Sequence, residues 1–304
     1  MTAELHHPFP AVRYLPYLTS PEIAALPKEH AVVVLSIASV EQHGPHLPVI
    51  TDSLVGQTVL GEALERLDED AQVWVVPPLC YGKSNEHKPY PGTLTLSAQT
   101  LAAVVRDIAA SLARAGFRRL VLLNSHGGNP PVLDYIARDV HEETGMMLFS
   151  IMISRMGVDE IVTDPEELAW GMHAGDSETS WVLALAPELV HMDRTAELGD
   201  YPRMPPGVRH LAARGPVGFS WLTADLNPAG VLGDPRGATA DKGRQYLEPT
   251  IQKLAGVLEE IATFEMPTVL PSPSGRGLYQ GGEGANGAPS PHPTLRVDLS
   301  QRAR

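Results

Sequence analysis

The chain has a single cysteine, Cys80, in 304 residues, which excludes an internal disulfide framework and the paired-thiolate spacings of zinc fingers and iron–sulfur sites. Any metal must then be bound through His, Asp and Glu. Positive charge is also scarce: 23 basic residues against 36 acidic ones leave a formal net charge of −13, a surface expected to repel nucleic acid and anionic membranes. No apolar run approaches the roughly 20 residues of a membrane span. The opening "MTAELHHPFPAVRYLPYL" lacks the basic and apolar regions of a secretory leader, so a cytoplasmic protein is expected. No Gly-rich loop followed by Lys-Ser/Thr is present, which removes the usual grounds for a phosphate-handling enzyme.

What the sequence does have is alternation. Hydrophobic residues at 43% and charged residues at 19% are ordinary globular values. Residues 31–37, "AQVWVVPPL", "RRLVLLNS" and "MMLFSIMIS" read as short apolar strands. Between them lie helical periodicities: Val55, Val59, Leu60, Leu64 and Leu67; then Leu101, Val104, Val105, Ile108 and Leu112, closed by Gly116; then "PPVLDYIARDVHEETG", opened by prolines. Helices are also predicted over about 177–186 and 238–264, with Pro249 expected to kink or interrupt the second. The stretch between them, to about Asp234, is Pro/Gly-rich and has no readable structure. The pattern predicts an α/β fold with a mostly parallel central sheet flanked by helices. Residues 1–266 read as one domain. The Pro/Gly/Ser-rich tail 267–304 has too little apolar surface to offset its chain entropy and is predicted to be disordered.

Three segments set polar, metal-competent residues just after such elements. "EQHGPHLPVITD" holds Glu41, His43, His46 and Asp52; "NSHGGN" holds His126; "HAGDSETS" holds His173 and Glu178. In an open α/β sheet, ligands bind outside the carboxyl ends of the strands, where loops converge. If the chain stays extended past the first strand, Glu41 and His43 share a face and Gln42 takes the other. Asp52 arrives near a helix start, where it is either a ligand or an N-cap. His46 is a ligand or an ordinary loop histidine. Gly127 and Gly128 let the chain turn tightly beside His126 and keep bulk away from whatever its ring faces. Glu178 is either part of the site or a helix-start glutamate that satisfies the dipole. Together these oxygen and nitrogen donors suit zinc, manganese or iron.

At these residues the chain resembles the creatininase family of metal-dependent amidohydrolases. The likeness runs from about Ala31 to Phe264 through "SVEQHGPHLP...TD", "YGKSNEHKPYPGTLTL", "LLNSHGGN", "HAGDSETS" and "GVLGDPRGATADKGRQYL". It implies a creatininase-like three-layer sandwich, assembly as a homo-oligomer, usually a hexamer, and two divalent cations per subunit at a site that hydrolyses a carbon–nitrogen bond. Carried over, Glu41, Asp52 and His126 match the ligands of one metal, and His43 with Asp52 match ligands of the second. His173 matches the catalytic histidine and becomes the candidate acid for the leaving nitrogen. Creatininase proper has a tyrosine and a metal-binding glutamate where this chain has Gly127 and Gly128. The second metal then lacks a ligand unless Glu178 or water supplies it; otherwise Glu178 orients His173 or the water.

The "HGGN" form resembles the branch that contains formamide-cleaving enzymes of cofactor biosynthesis and the peptidase that trims a mycofactocin precursor. The expected activity is hydrolysis of a small cyclic or linear amide by metal-activated water. The alternatives are a peptidase trimming a short precursor peptide and a catalytically silent metal-binding subunit. His87, in the long loop "NEHKPYPGT", is a candidate for the substrate pocket or a subunit contact, and Trp170 for the mouth of the site, with aromatic packing as its plainer role.

Overall fold

Four strands form a parallel sheet in the order β2-β1-β3-β4: β1 (Val32–Ile37), β2 (Val73–Val75), β3 (Arg119–Asn124) and β4 (Met147–Met152). They come from a computed structural model that describes residues 9–157, 164–196, 198 and 201–267. The tail expected to be disordered lies, from residue 268 onward, outside the described residues.

Every residue of β1 and β3 is buried, because helices cover both faces of the sheet, and this is why the strands read as unbroken apolar runs. Residue alternation splits the core in two. Val32, Val34, Val73, Val75, Val121 and Leu123 face α2 (Thr51–Glu65), α6 (Asp176–Leu185) and α8 (Ala240–Thr263). Val33, Leu35, Ile37, Leu120 and Leu122 face α3 (Ala98–Arg114) and α4 (Pro130–Thr144). Each fully buried Val, Leu or Ile contributes roughly 1.5–3 kcal/mol. The result is the parallel sheet flanked by helices that the alternation predicts, in the layered arrangement that the resemblance implies.

Helix ends follow local chemistry. Ser97 caps α3 by accepting from Thr100 N–H (3.0 Å), and Gly116 follows it at φ +98°. Two prolines open α4, and Gly145 closes it in the left-handed conformation. The expected interruption at Pro249 does not occur: α8 runs through it without a break. Pro249 and Gln245 both lie on the exposed side, where water can reach the carbonyl that loses its partner, while Leu247, Ile251, Leu254 and Leu258 keep the opposite side buried. The stretch between α6 and α8 is mostly irregular, with α7 (Thr223–Leu226) its only α-helix among the described residues. Among the described residues the remaining α-helices are α1 (Ser20–Ala25) and α5 (Pro165–Trp170). No helix among the described residues is long and apolar enough to cross a membrane.

Connectivity decides where a site can form. From β1 the chain crosses through α2 to β2 on one side, then returns through α3 to β3 on the other side. The order therefore reverses between β1 and β3, whose last residues, Ile37 and Asn124, are paired in register. A crevice opens beyond that point, where two adjacent loops part to opposite faces.

Candidate metal centre

The crevice receives side chains from five places. Glu41 and His43 follow β1 in a loop tied back by Glu41 N–H to Val49 O (3.1 Å). Asp52 stands in the first turn of α2, whose N-cap is Ile50, so its carboxylate does no capping. His126 follows β3, its turn fixed by Asn124, which donates to His126 O (2.7 Å) and accepts from His126 N–H (3.2 Å). His87 ends a short 3-10 turn, Asn85–His87. His173 precedes α6, and Glu178 lies in its first turn.

Their ionisable atoms meet within a few ångströms. His126 Nδ1 is 3.1 Å from Glu41 Oε2 and 3.3 Å from Asp52 Oδ2. His43 Nε2 is 3.3 Å from Asp52 Oδ1 and 3.8 Å from Glu178 Oε2. Asp52 thus turns one oxygen to each of two neighbouring sites. His173 Nδ1 and His87 Nε2 each lie 3.5 Å from Glu41 Oε1. Ser39 donates to Glu41 Oε2 (2.6 Å), and Ser84 donates to the same oxygen, so Glu41 is rigidly placed. All of these side chains are buried except that of Glu178, which is 24% exposed and marks the open side.

Hydrogen bonds at the far nitrogens fix what each ring offers the centre. His43 Nδ1 donates to Glu41 O (3.1 Å), His126 Nε2 to Lys83 O (3.0 Å) and His173 Nε2 to Gln42 O (2.6 Å). A carbonyl can only accept, so the inward nitrogens of these three rings are the ones left to bind a cation or a proton. His87 is the reverse case. Its Nδ1 accepts from the Gln42 amide (2.8 Å) and lies 2.9 Å from Thr223 Oγ1, so its inward Nε2 carries the proton toward Glu41.

Charge among these side chains alone is out of balance. Burial pulls the His43 imidazole down, but Asp52, Glu178 and Glu41 outweigh it and push it up to about 9. His126 is raised well above the ordinary value: burial opposes this, and Glu41 and Asp52 prevail. Burial raises Glu178 to about 7, with Asp52 and Glu41 adding to it and His43 opposing. Burial also acts against Glu41, yet His126, His87 and His173 hold it well below the usual carboxylate range. His173 is pushed well down by burial, then by His87 and His43, and stays neutral. Protons thus sit on His43 and His126 where the carboxylates call for positive charge.

Residues of this kind fit divalent cations. Three sets bring donor atoms within 4.8 Å of one another: Glu41, Asp52 and His126; His43, Asp52 and Glu178; and Glu41, His43 and His173. Asp52 Oδ2 and His43 Nε2 are buried and lack a well-formed hydrogen bond, each facing an oppositely charged neighbour at 3.3 Å, a setting that suits a cation. Two clusters sharing Asp52 accommodate two divalent ions per subunit.

The glycines after His126 differ in what they leave room for. A Cβ on Gly128 would strike Glu86 Oε1, Lys83 O and His126 Nε2, whereas one on Gly127 would meet nothing within 4 Å. Trp170 is partly exposed at the end of α5, and no hydrogen bond or ring contact among the described residues ties it to the cluster. His46 is buried with Nε2 3.0 Å from Thr179 Oγ1, and it belongs to none of the donor sets. Ala174, next to His173, is held at φ +55°, a strain of about 1–2 kcal/mol for a residue with a Cβ. Its N–H is captured by Glu178 Oε2 (2.6 Å).

Sequence reasoning missed Gln42, Ser39, Ser84 and Glu86 as neighbours of the centre. Ser39 was open to discovery, since two residues before Glu41 in an extended segment it shares that residue's face. The others arrive through tertiary contacts that local spacing does not encode. Glu86 Oε1 reaches within 3.6 Å of His126 Nε2, the nitrogen facing away from the donor sets.

A buried carboxylate–imidazole cluster at the switch point of a parallel sheet defines a metal-binding hydrolase of the α/β class. Residues 16–258 match the family model described as creatinine amidohydrolase, and the chain belongs to the creatininase family. It is 33% identical over 252 residues to the mycofactocin precursor peptide peptidase of Mycobacterium ulcerans, covering 81% of this chain and 90% of that protein. It is 31% identical to the creatinine amidohydrolase of Pseudomonas putida, covering 75% of this chain and 89% of that one. Among solved structures, a putative creatinine amidohydrolase from Bacteroides fragilis superposes with a TM-score of 0.66 at 28% identity, covering 84% of this chain and 98% of that one.

Proposed function

We propose that this chain is a two-metal peptidase that cuts an amide bond in a short precursor peptide. Glu41, Asp52 and His126 would hold one cation and His43, Asp52 and Glu178 the other, Asp52 belonging to both sets. The observation that carries this reading is the pair of Asp52 oxygens, each 3.3 Å from the inward nitrogen of a different histidine. Glu178 thereby supplies the donor that a glutamate at position 128 would otherwise give. Zinc, manganese and iron all suit this donor set.

Bound there, such ions lower the pKa of water toward 7 and polarise an amide carbonyl. The chain's own residues manage the protons. His173 Nε2 is committed to Gln42 O, so only Nδ1 can exchange a proton with the crevice. The ring is neutral at rest, and it must therefore take a proton before it can give one to the leaving nitrogen. The N–H of His87 keeps Glu41 Oε1 charged and in place.

A peptide rather than a small ring is supported by Gly127, next to His126, which is exposed and has open space where a side chain would stand. The mycobacterial relatives, named as precursor peptide peptidases, support the same choice. A small cyclic or linear amide is the second reading, favoured by the Pseudomonas relative. The two separate in one assay of metal-reconstituted protein against short peptides, including the precursor for which the mycobacterial relatives are named, and against creatinine, lactams and formamides. Cleavage of peptide with small amides untouched is expected; turnover of small amides alone would refute the peptide reading. Assembly as a hexamer belongs to this proposal and is checked by light scattering of the full chain.

A further inference from the structure

Glu167 is a buried acid in α5, outside the donor sets, and its carboxylate ties together three parts of the chain. Oε1 accepts from Asp176 N–H (3.0 Å), the first residue of α6. Oε2 accepts from Asp234 N–H (2.9 Å) and from the Tyr201 hydroxyl (2.8 Å). Asp176 lies two residues before Glu178 and three after His173. Asp234 lies two residues after Leu232, which pairs with His173 through its N–H (2.8 Å) and its carbonyl (2.9 Å). One carboxylate therefore joins the two backbone segments that set the position of His173.

The surroundings are shaped to admit it. A Cβ at Gly171 or Gly175 would collide with Glu167 Oε1, and Gly233, at φ +152°, approaches Gly175 so closely that a Cβ there would lie 2.6 Å from its Cα. Three glycines thus let two chain segments close around one charged group. Both backbone N–H groups can only donate, so both oxygens must accept. Glutamine cannot replace the acid, because its amide NH2 would face one of those N–H groups.

We propose that Glu167 is a positioning residue for the second cation site, holding the His173 turn and the start of α6 so that Glu178 meets His43 and Asp52. This rests on the two-cation reading above. The test is titration of metal-stripped full-length protein with Zn(II) or Mn(II) alone against a competing chelator. Wild type is expected to bind two ions; fewer than two counts against the metal reading itself and is seen before any variant is made. Glu167→Gln is expected to weaken one site about tenfold or more and leave the other within about twofold. A stabilising residue without a positioning role would leave both sites unchanged or weaken both alike, and either result overturns the proposal. Should Glu167→Gln not fold, Glu167→Asp, which keeps both acceptors but draws them back, is read in the same way. Failure of both to fold marks the residue as structural and also overturns it.

Discussion

Stripping the metals should make alkaline pH a destabilising condition for this protein. In the metal-free crevice His43 titrates at about 9 against an ordinary 6.5, so the folded state holds a proton that the unfolded chain has already lost. The sign follows from linkage: a group whose folded pKa is raised stabilises fully below its unfolded value, and that contribution fades as pH rises through the folded value. The window is therefore from 6.5 to about 9, and at about 1.4 kcal/mol per unit the loss is on the order of 3 kcal/mol. His126 shifts in the same direction and adds to it. Urea unfolding with a chelator at several pH values across the window measures the slope, and the metal-loaded protein, with ions in place of those protons, should show little of it. His43→Gln in the metal-free protein should reduce the slope and leave the share that His126 contributes. A metal-free stability independent of pH between 6.5 and 9, or a slope unchanged in His43→Gln, would refute the charge assignment.

Other outcomes follow from the same geometry. Metal uptake at pH 7.5 should release close to two protons per chain, one each from His43 and His126, read by calorimetry in buffers of different ionisation enthalpy. Gly128→Ala pushes against Glu86 and the Lys83 carbonyl that orients His126, and should weaken metal binding about 10–100-fold, while Gly127→Ala should leave affinity nearly unchanged; competition with a chelator compares them. Gly243→Ala places a methyl group against Ser180 O and within 2.8 Å of Ala184 Cβ where α8 crosses α6. Overpacking of about 1–3 kcal/mol should exceed the gain of about 1 kcal/mol in helix propensity, giving a net loss in urea unfolding. His173→Ala should keep bound metal and lose most turnover, measured by metal analysis beside kinetics on the same sample.

Strands β1 and β3 were legible because burial on both faces leaves an unmistakable run such as "VVVLSI" or "LVLLN". Helix α8 was legible from its apolar spacing, and only Pro249 misled, since a proline on a solvent-facing turn costs less than one in a packed turn. The region between α6 and α8 was not legible: Leu232 and Asp234 are held by His173 and Glu167, partners some 60 residues away that no local period records. The residues now proposed as ligands came from a family resemblance together with local spacing. Glu167 came from neither, because it is one of two adjacent acids in "PEELAW" and is indistinguishable from a surface residue until three donors are seen around it.

Counting ions on wild-type and Asp52→Ala protein, after stripping and reconstitution, tests most directly whether one carboxylate joins two cations in this crevice. Two ions per wild-type chain are expected, and Asp52→Ala should lose tight binding at both positions, because the inward nitrogens of His43 and His126 each lie 3.3 Å from a different Asp52 oxygen. A folded Asp52→Ala protein that still retains two tightly bound ions would contradict it.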